Sequence, residues 1–106
     1  MAYVDVTDDN FDKEVTEAPE LTLVDFWAPW CAPCRQLAPT IEALAEEYRA
    51  KLKVTKLNVD DAPSSASRFG IKSIPTVILF KGGNAVEVVV GVQSRDHFAQ
   101  LIDKHL

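Results

Sequence analysis

The fold is decided by residues 21–34, which read LTLVDFWAPWCAPC. The first eight of these residues are nearly all apolar, as expected for a central β-strand that is covered on both faces. The segment ends with the only two cysteines of the chain, Cys31 and Cys34, and residues 35–48 then show helical periodicity. A strand, a Cys-x-x-Cys pair and a helix in this order are typical of a thiol–disulfide redox site.

Three roles outside redox chemistry fit the cysteine pair less well. A structural disulfide is expected to join distant segments, and closing so short a loop removes only about 2 kcal/mol of unfolded-chain entropy. A zinc site needs about four ligands, yet the only histidines, His97 and His105, fall in one late predicted helix and are interpreted as surface residues. The third role is that of two unrelated buried thiols, which the flanking tryptophans and Pro33 disfavour.

Composition narrows the class of protein. The chain has 106 residues, of which 47% are hydrophobic and 25% charged, so residues 1–106 are predicted to form a single domain. A net charge of −5 disfavours nucleic acids and anionic membranes as partners. No apolar run approaches the roughly 20 residues that cross a bilayer, and no signal peptide is visible. We expect a monomer in the cytoplasm, where a lone cysteine pair is more often catalytic than structural.

Hydrophobic periodicity and turn residues predict the order β-α-β-α-β-α-β-β-α, an α/β fold with one mixed sheet and helices on both faces. The strands are predicted at 3–6, 21–28, 52–59, 76–80 and 85–90, and the last two form an antiparallel hairpin at Gly82-Gly83. Thr7 or Asp8 is predicted to cap the first helix and Ser94 the last one.

The two cysteines are not equivalent in the predicted helix. Cys34 falls on its apolar face, whereas Cys31 falls at its start, beside an exposed loop. Free N–H groups and the helix dipole stabilise a thiolate there, so we predict that Cys31 attacks and that the shielded Cys34 resolves the mixed disulfide. Pro33 removes one such N–H group, and no cationic side chain lies between the cysteines. The thiolate is then only moderately stabilised, which predicts a reductant.

Asp25 is unusual because it is a carboxylate within an apolar strand. One interpretation is a strand-end aspartate whose carboxylate reaches water or caps a helix. The other is a partly buried acid with a raised pKa that exchanges a proton with Cys34. Lys56, in the neighbouring predicted strand, either faces Asp25 and moderates this shift or is solvated.

Several residues are candidates for contact with a substrate. Pro75 either marks the entry of a strand or forms a cis bond that presents the Ile74 backbone to an extended segment. Gly91 either permits the close approach of another backbone or marks a bulge. Trp27 is predicted to be a core residue. The residues predicted to contact substrate are Trp30, Ala32, Pro33, Ile74, Pro75, Gly91 and Val92.

These motifs together resemble the thioredoxin family. The resemblance rests on VDFWA at 24–28, WCAPC at 30–34, Pro39, IPT at 74–76 and Gly91, in order and with matching spacing over nearly the whole chain. It implies a thioredoxin fold with a cis bond at Pro75, Cys31 as nucleophile, Cys34 as resolving thiol, Asp25 as buried acid and Lys56 as its neighbour. One departure is Ala32, where the family motif has glycine, and it bears on the reduction potential and on recognition by the reductase.

The resemblance also implies a function. A member of this family is a protein-disulfide oxidoreductase without a bound cofactor, which reduces disulfide-containing client proteins and is recycled by thioredoxin reductase with electrons from NADPH. A second hypothesis is a disulfide oxidase or isomerase module, which a more oxidising potential would indicate. A third is a redox-independent binding module that docks partners on Trp30, Ile74 and Val92.

Overall fold

The apolar segment before the cysteines forms the central strand of a five-stranded sheet. The computed structural model describes residues 2–106. The predicted single domain begins at Met1, which lies outside the described residues. The strands are β1 (Tyr3–Val6), β2 (Leu21–Trp27), β3 (Leu52–Asn58), β4 (Thr76–Lys81) and β5 (Asn84–Val90), in the spatial order β1-β3-β2-β4-β5. β3 is parallel to β1 and β2, and β4 is antiparallel to β2 and β5, so the predicted mixed sheet is confirmed.

Helical segments cover both faces of the sheet, as predicted. They are α1 (Ala32–Glu47), α2 (Pro63–Arg68), α3 (Arg95–His105) and a π-helical turn (Asp12–Thr16). Side chains alternate along β2, so that Leu23 packs in a core with α1 and α3, while Phe26 packs in a second core with the π-helical turn. The predicted cap of the last helix is confirmed, because Ser94 Oγ accepts a hydrogen bond from the His97 N–H at 3.1 Å.

The prediction that Thr7 or Asp8 caps the first helical segment is wrong. That segment begins at Asp12 and has no side-chain cap. The Asp8 carboxylate instead accepts hydrogen bonds from the backbone N–H groups of Ser64 at 3.2 Å and Ser65 at 2.7 Å, in the first turn of α2. Asp8 therefore caps a helix far along the chain, and it ties that helix to the end of β1.

The hairpin between β4 and β5 depends on its two glycines. Gly82 and Gly83 have φ angles of 59° and 82°, in the left-handed region that a tight hairpin turn requires. A Cβ atom on Gly83 would lie 2.8 Å from the carbonyl oxygen of Thr16 in the π-helical turn. The turn therefore needs glycine at this position for space as well as for conformation.

Candidate active site

Cys31 and Cys34 lie where β2 passes into α1. Cys31 is the residue immediately before the helix, and Ala32 and Pro33 form the start of its first turn. The cysteines are joined as a disulfide, with their Cα atoms 5.2 Å apart. The backbone N–H of Cys34 donates a hydrogen bond to Cys31 Sγ at 3.2 Å. This is the geometry in which the N-terminus of a helix stabilises negative charge on a sulfur.

The predicted difference in exposure between the two cysteines is wrong for the disulfide form. Cys31 is 4% exposed and Cys34 is 2% exposed, so both are buried. They share an apolar cluster with Ala28, against which Ile74 packs, and Cys31 Sγ lies 3.8 Å from the Ile74 carbonyl oxygen. The loop before β4 therefore covers Cys31. The feature that distinguishes the two sulfurs is the N–H group directed at Cys31.

Asp25 lies in the middle of β2 and is only 1% exposed. Alternation along the strand places it on the same face as Leu23, the face that carries α1 with its buried residue Cys34. Within the described part of the chain, its Oδ1 atom has no hydrogen-bond partner. Burial raises the pKa of this carboxyl from 3.8 to about 7, and the charge of Lys56 opposes part of the rise. The hypothesis of an aspartate that reaches water is therefore wrong.

Lys56 lies beside Asp25 on the neighbouring strand. The two residues are partners in the parallel β2–β3 register, so their side chains lie on the same face of the sheet. Lys56 is only 7% exposed, and the hypothesis of a solvated lysine is wrong. Its ammonium lies 4.6 Å from the centre of the Trp27 ring and 5.2 Å from that of the Tyr3 ring. Both distances are typical of cation–π contacts.

The peptide bond between Ile74 and Pro75 is cis and precedes β4. Pro75 is buried, and its carbonyl oxygen accepts a hydrogen bond from the Gly91 N–H at 2.9 Å. Gly91 has a φ angle of 92° and open space where a Cβ atom would lie. The irregularity in the β4–β5 pairing lies elsewhere, between Leu79 and Phe80. Gly91 is therefore not a bulge; it follows the end of β5 and ties that end to the loop beside Cys31.

The residues predicted to contact substrate are brought together only in part. Trp30 is 67% exposed, whereas Trp27 is partly buried against the cysteine cluster. Trp30 and Ile74 line a groove of about 160 Å³. Ala32, Pro33 and Val92 are exposed, but neither these residues nor Gly91 line that groove. The other residues that line the groove are Val59, Ala66, Ile71 and Lys72.

Those four lining residues, and two residues that fix the entry loop, were not predicted from the sequence. Asp60 Oδ2 accepts a hydrogen bond from Trp30 Nε1 at 2.9 Å, which orients the exposed indole. Arg35 Nη1 donates to the Pro29 carbonyl oxygen at 2.8 Å and holds the loop before Cys31. The signal for the groove was the apolar residues before, within and after α2, namely Val59, Ala66 and Ile71, whereas no signal linked Asp60 to Trp30.

The prediction that both histidines are surface residues holds for His97 alone. His97 is exposed, but His105 is half-buried, with Nε2 2.7 Å from Glu87 Oε2. Within residues 2–106, no three or more side chains of His, Cys, Asp and Glu are grouped as metal ligands would be. The helices of the same range include none that is long and apolar enough to cross a membrane.

Comparison with known proteins gives full-length matches. The family model described as Thioredoxin matches residues 2–104. Thioredoxin 1 of a Nostoc species is 48% identical over 105 residues, which cover 99% of this chain and 98% of the relative. Thioredoxin of Staphylococcus haemolyticus is 49% identical over the whole of both chains. Thioredoxin 1 of Synechococcus elongatus is 50% identical over 101 residues, which cover 95% of this chain and 94% of the relative.

Proposed function

Because this chain belongs to the thioredoxin family, we propose that it is a general reductase of protein disulfides. It is a protein-disulfide oxidoreductase that works by dithiol–disulfide exchange. The hydrogen bonding at the start of α1 supports the role of a reductant. One backbone N–H, that of Cys34, donates to Cys31 Sγ, whereas Pro33 has no N–H group. A thiolate stabilised only to this degree favours the oxidised form, so the reduced protein gives up its electrons.

The two sulfurs are proposed to act in successive steps. The Cys31 thiolate attacks one sulfur of the client disulfide, the client S–S bond breaks, and the other client sulfur leaves as a thiolate. The Cys34 thiolate then attacks Cys31 Sγ, which releases the second client sulfur and closes the Cys31–Cys34 disulfide. The client gains two electrons and two protons, and the reductase is left oxidised.

Asp25 is proposed to exchange the proton of Cys34. It lies on the sheet face that carries α1, and its pKa of about 7 means that its protonated and ionised forms are both populated near neutral pH. A general acid or base is most effective when its pKa is close to the working pH. Lys56 contributes by keeping the pKa of Asp25 from rising further.

Clients and the recycling enzyme are proposed on grounds of family membership and exposed surface. We propose one domain that acts as a monomer in the cytoplasm, has no bound cofactor, and is reduced by thioredoxin reductase with electrons from NADPH. Exposed apolar surface at Trp30 supports docking of clients beside Cys31. The residues proposed to contact clients are Trp30, Ala32, Pro33, Ile74, Pro75, Gly91 and Val92.

Trapping of the mixed disulfide tests the proposal. Cys34→Ser should leave clients attached to Cys31, because the thiol that would release them is missing. Cys31→Ser is the matched control and should trap none. The reduced wild-type protein should cut the interchain bridges of insulin and precipitate it. Equal trapping by both variants, or no adduct on Cys34→Ser, would contradict the two-step scheme, and a strongly oxidising potential would favour an oxidase.

A further inference from the structure

Lys56 is held between two aromatic rings from two different strands. Trp27 lies two residues beyond Asp25 on β2, and Tyr3 lies on β1, at the other side of β3. The ammonium lies within 5.2 Å of both ring centres. Among residues 2–106, Lys56 forms no ion pair within 4.0 Å of a carboxylate oxygen. The two rings are therefore the close partners of this charge.

The position between the rings is not the only one open to a lysine here. Lys56 lines a cavity of about 300 Å³, together with Trp27 and the two carboxylates Asp5 and Asp61. Asp5 is the partner of Lys56 in the β1–β3 register, just as Asp25 is its partner in the β2–β3 register. An ammonium that turned into the cavity would gain water and two exposed carboxylates, and it would act less strongly on Asp25.

We propose that Tyr3 is a positioning residue for the proton exchange of Asp25, because its ring holds the Lys56 ammonium at the wall of this cavity and keeps the charge from turning away from Asp25 toward Asp5 and Asp61. This inference rests on the proposed acid–base role of Asp25. Tyr3 and Asp5 lie on the same face of β1, since alternate residues of a strand share a face. The titratable or charged groups near the pair are Tyr3 and Asp5 on β1 and Asp61 after β3. β4 places the apolar Val77 opposite Asp25, and Cys34 on α1 does not titrate while it is in the disulfide.

Replacement of the ring should move the titration of Asp25. Tyr3→Ile keeps an apolar side chain with high strand propensity but removes the ring, so the ammonium is free to enter the cavity. The midpoint of the Asp25 titration should then rise by about half a pH unit or more, since a neighbouring opposite charge lowers a carboxyl pKa by about 1–3 units. Tyr3→Phe keeps the ring without the hydroxyl and should leave the midpoint unchanged.

Carboxyl-carbon NMR of the oxidised protein measures this midpoint directly. The Lys56→Met variant removes the charge altogether, so it gives the largest rise in the Asp25 midpoint that loss of this charge can produce. Tyr3→Ile should raise the midpoint by less than Lys56→Met, and it should add nothing when combined with Lys56→Met, because Tyr3 acts through that lysine. The thermal unfolding midpoint of each variant is measured as well, so that a loss of folding is recognised.

Three outcomes would overturn the inference. They are an unchanged midpoint in Tyr3→Ile, equal shifts in Tyr3→Ile and Tyr3→Phe, and a Tyr3→Ile shift that persists in the Lys56→Met background. If Tyr3→Ile does not fold, Tyr3→Leu takes its place with the same expected rise of the midpoint. A shift in Tyr3→Phe would overturn the inference in either case, because it would show that the hydroxyl and not the ring is responsible. The Asp25 titration requires no turnover, so its result does not depend on the insulin assay. Failure of the insulin assay would therefore count against the proposed function alone.

Discussion

Replacing Asp25 with asparagine should change the stability of the protein in a pH-dependent way, with a loss near pH 4 and a net gain above about pH 7. Burial gives this carboxyl a pKa of about 7 in the folded protein, against 3.8 for the unperturbed group. Between these two values the folded state binds more protons than the unfolded state, so the free energy of unfolding of the wild type falls as the pH rises. The stability that the protonated Asp25 carboxyl contributes is complete below the pKa of the unfolded state and is lost once the pH passes the pKa of the folded state. Asparagine does not titrate, so the variant escapes this loss.

The size of the effect follows from the two pKa values. They differ by about 3 pH units, and each unit corresponds to about 1.4 kcal/mol. Ionised Asp25 therefore costs the folded protein about 4 kcal/mol above about pH 7 and almost nothing below about pH 4. Burial of an asparagine amide without partners costs about 1–3 kcal/mol at every pH. The difference in unfolding free energy between variant and wild type should thus rise by about 4 kcal/mol between pH 4 and pH 8.

Urea unfolding of the oxidised protein, followed by tryptophan fluorescence, measures this difference at each pH. Other carboxylates with lowered pKa values are present in both proteins, so their contributions cancel. They are Asp8, Asp12, Glu14 and Glu87. Asp5→Asn is the matched control, since it removes an exposed carboxylate from the strand beside Lys56. The difference in unfolding free energy between Asp5→Asn and wild type should vary by well under about 1 kcal/mol between pH 4 and pH 8. A difference for Asp25→Asn that does not vary with pH would refute the argument from burial.

Two further predictions concern the hairpin and the release step. Gly83→Ala should lower the free energy of unfolding in urea by about 1–3 kcal/mol, because the new Cβ atom would lie 2.8 Å from the Thr16 oxygen at a φ angle of 82°. Gly82→Ala, at a φ angle of 59° with open space, should lose less. In rapid-quench kinetics, Asp25→Asn should slow release of the client from the mixed disulfide and leave the attack by Cys31 nearly unchanged. Equal slowing of both steps would remove the acid–base role.

The element order and the position of the cysteine pair were predictable because they depend on local signals. The apolar run at 21–27 has no charged residue but Asp25, and the helical periodicity after Cys34 fixes which face of α1 is buried. Glycine and serine mark the hairpin and the start of α3 by backbone conformation and capping. Each of these signals is complete within a few residues of the feature that it predicts.

The errors arose where a distant segment decides the outcome. Asp8 looked like the cap of the nearest helix, but its carboxylate binds the backbone of Ser64 and Ser65, which no local pattern indicates. Cys31 looked accessible because it starts a helix. The loop at Ile74, more than forty positions away, covers it. Capping preferences and the position of a residue in a helix depend on neighbouring residues, whereas the exposure of a side chain depends on which distant segments pack against it.

The environment of Asp25 shows why strand register, more than residue type, determines the chemistry of this site. Asp5, Lys56 and Asp25 are partners across β1, β3 and β2, and all three side chains lie on one face of the sheet. A slip of β3 by one residue would turn Lys56 to the opposite face and place the apolar Leu57 beside Asp25. Desolvation would then act on the carboxyl without opposition, and its pKa would rise further from the working range. The apolar contacts that fix the register of β3 therefore also fix the pKa of the acid.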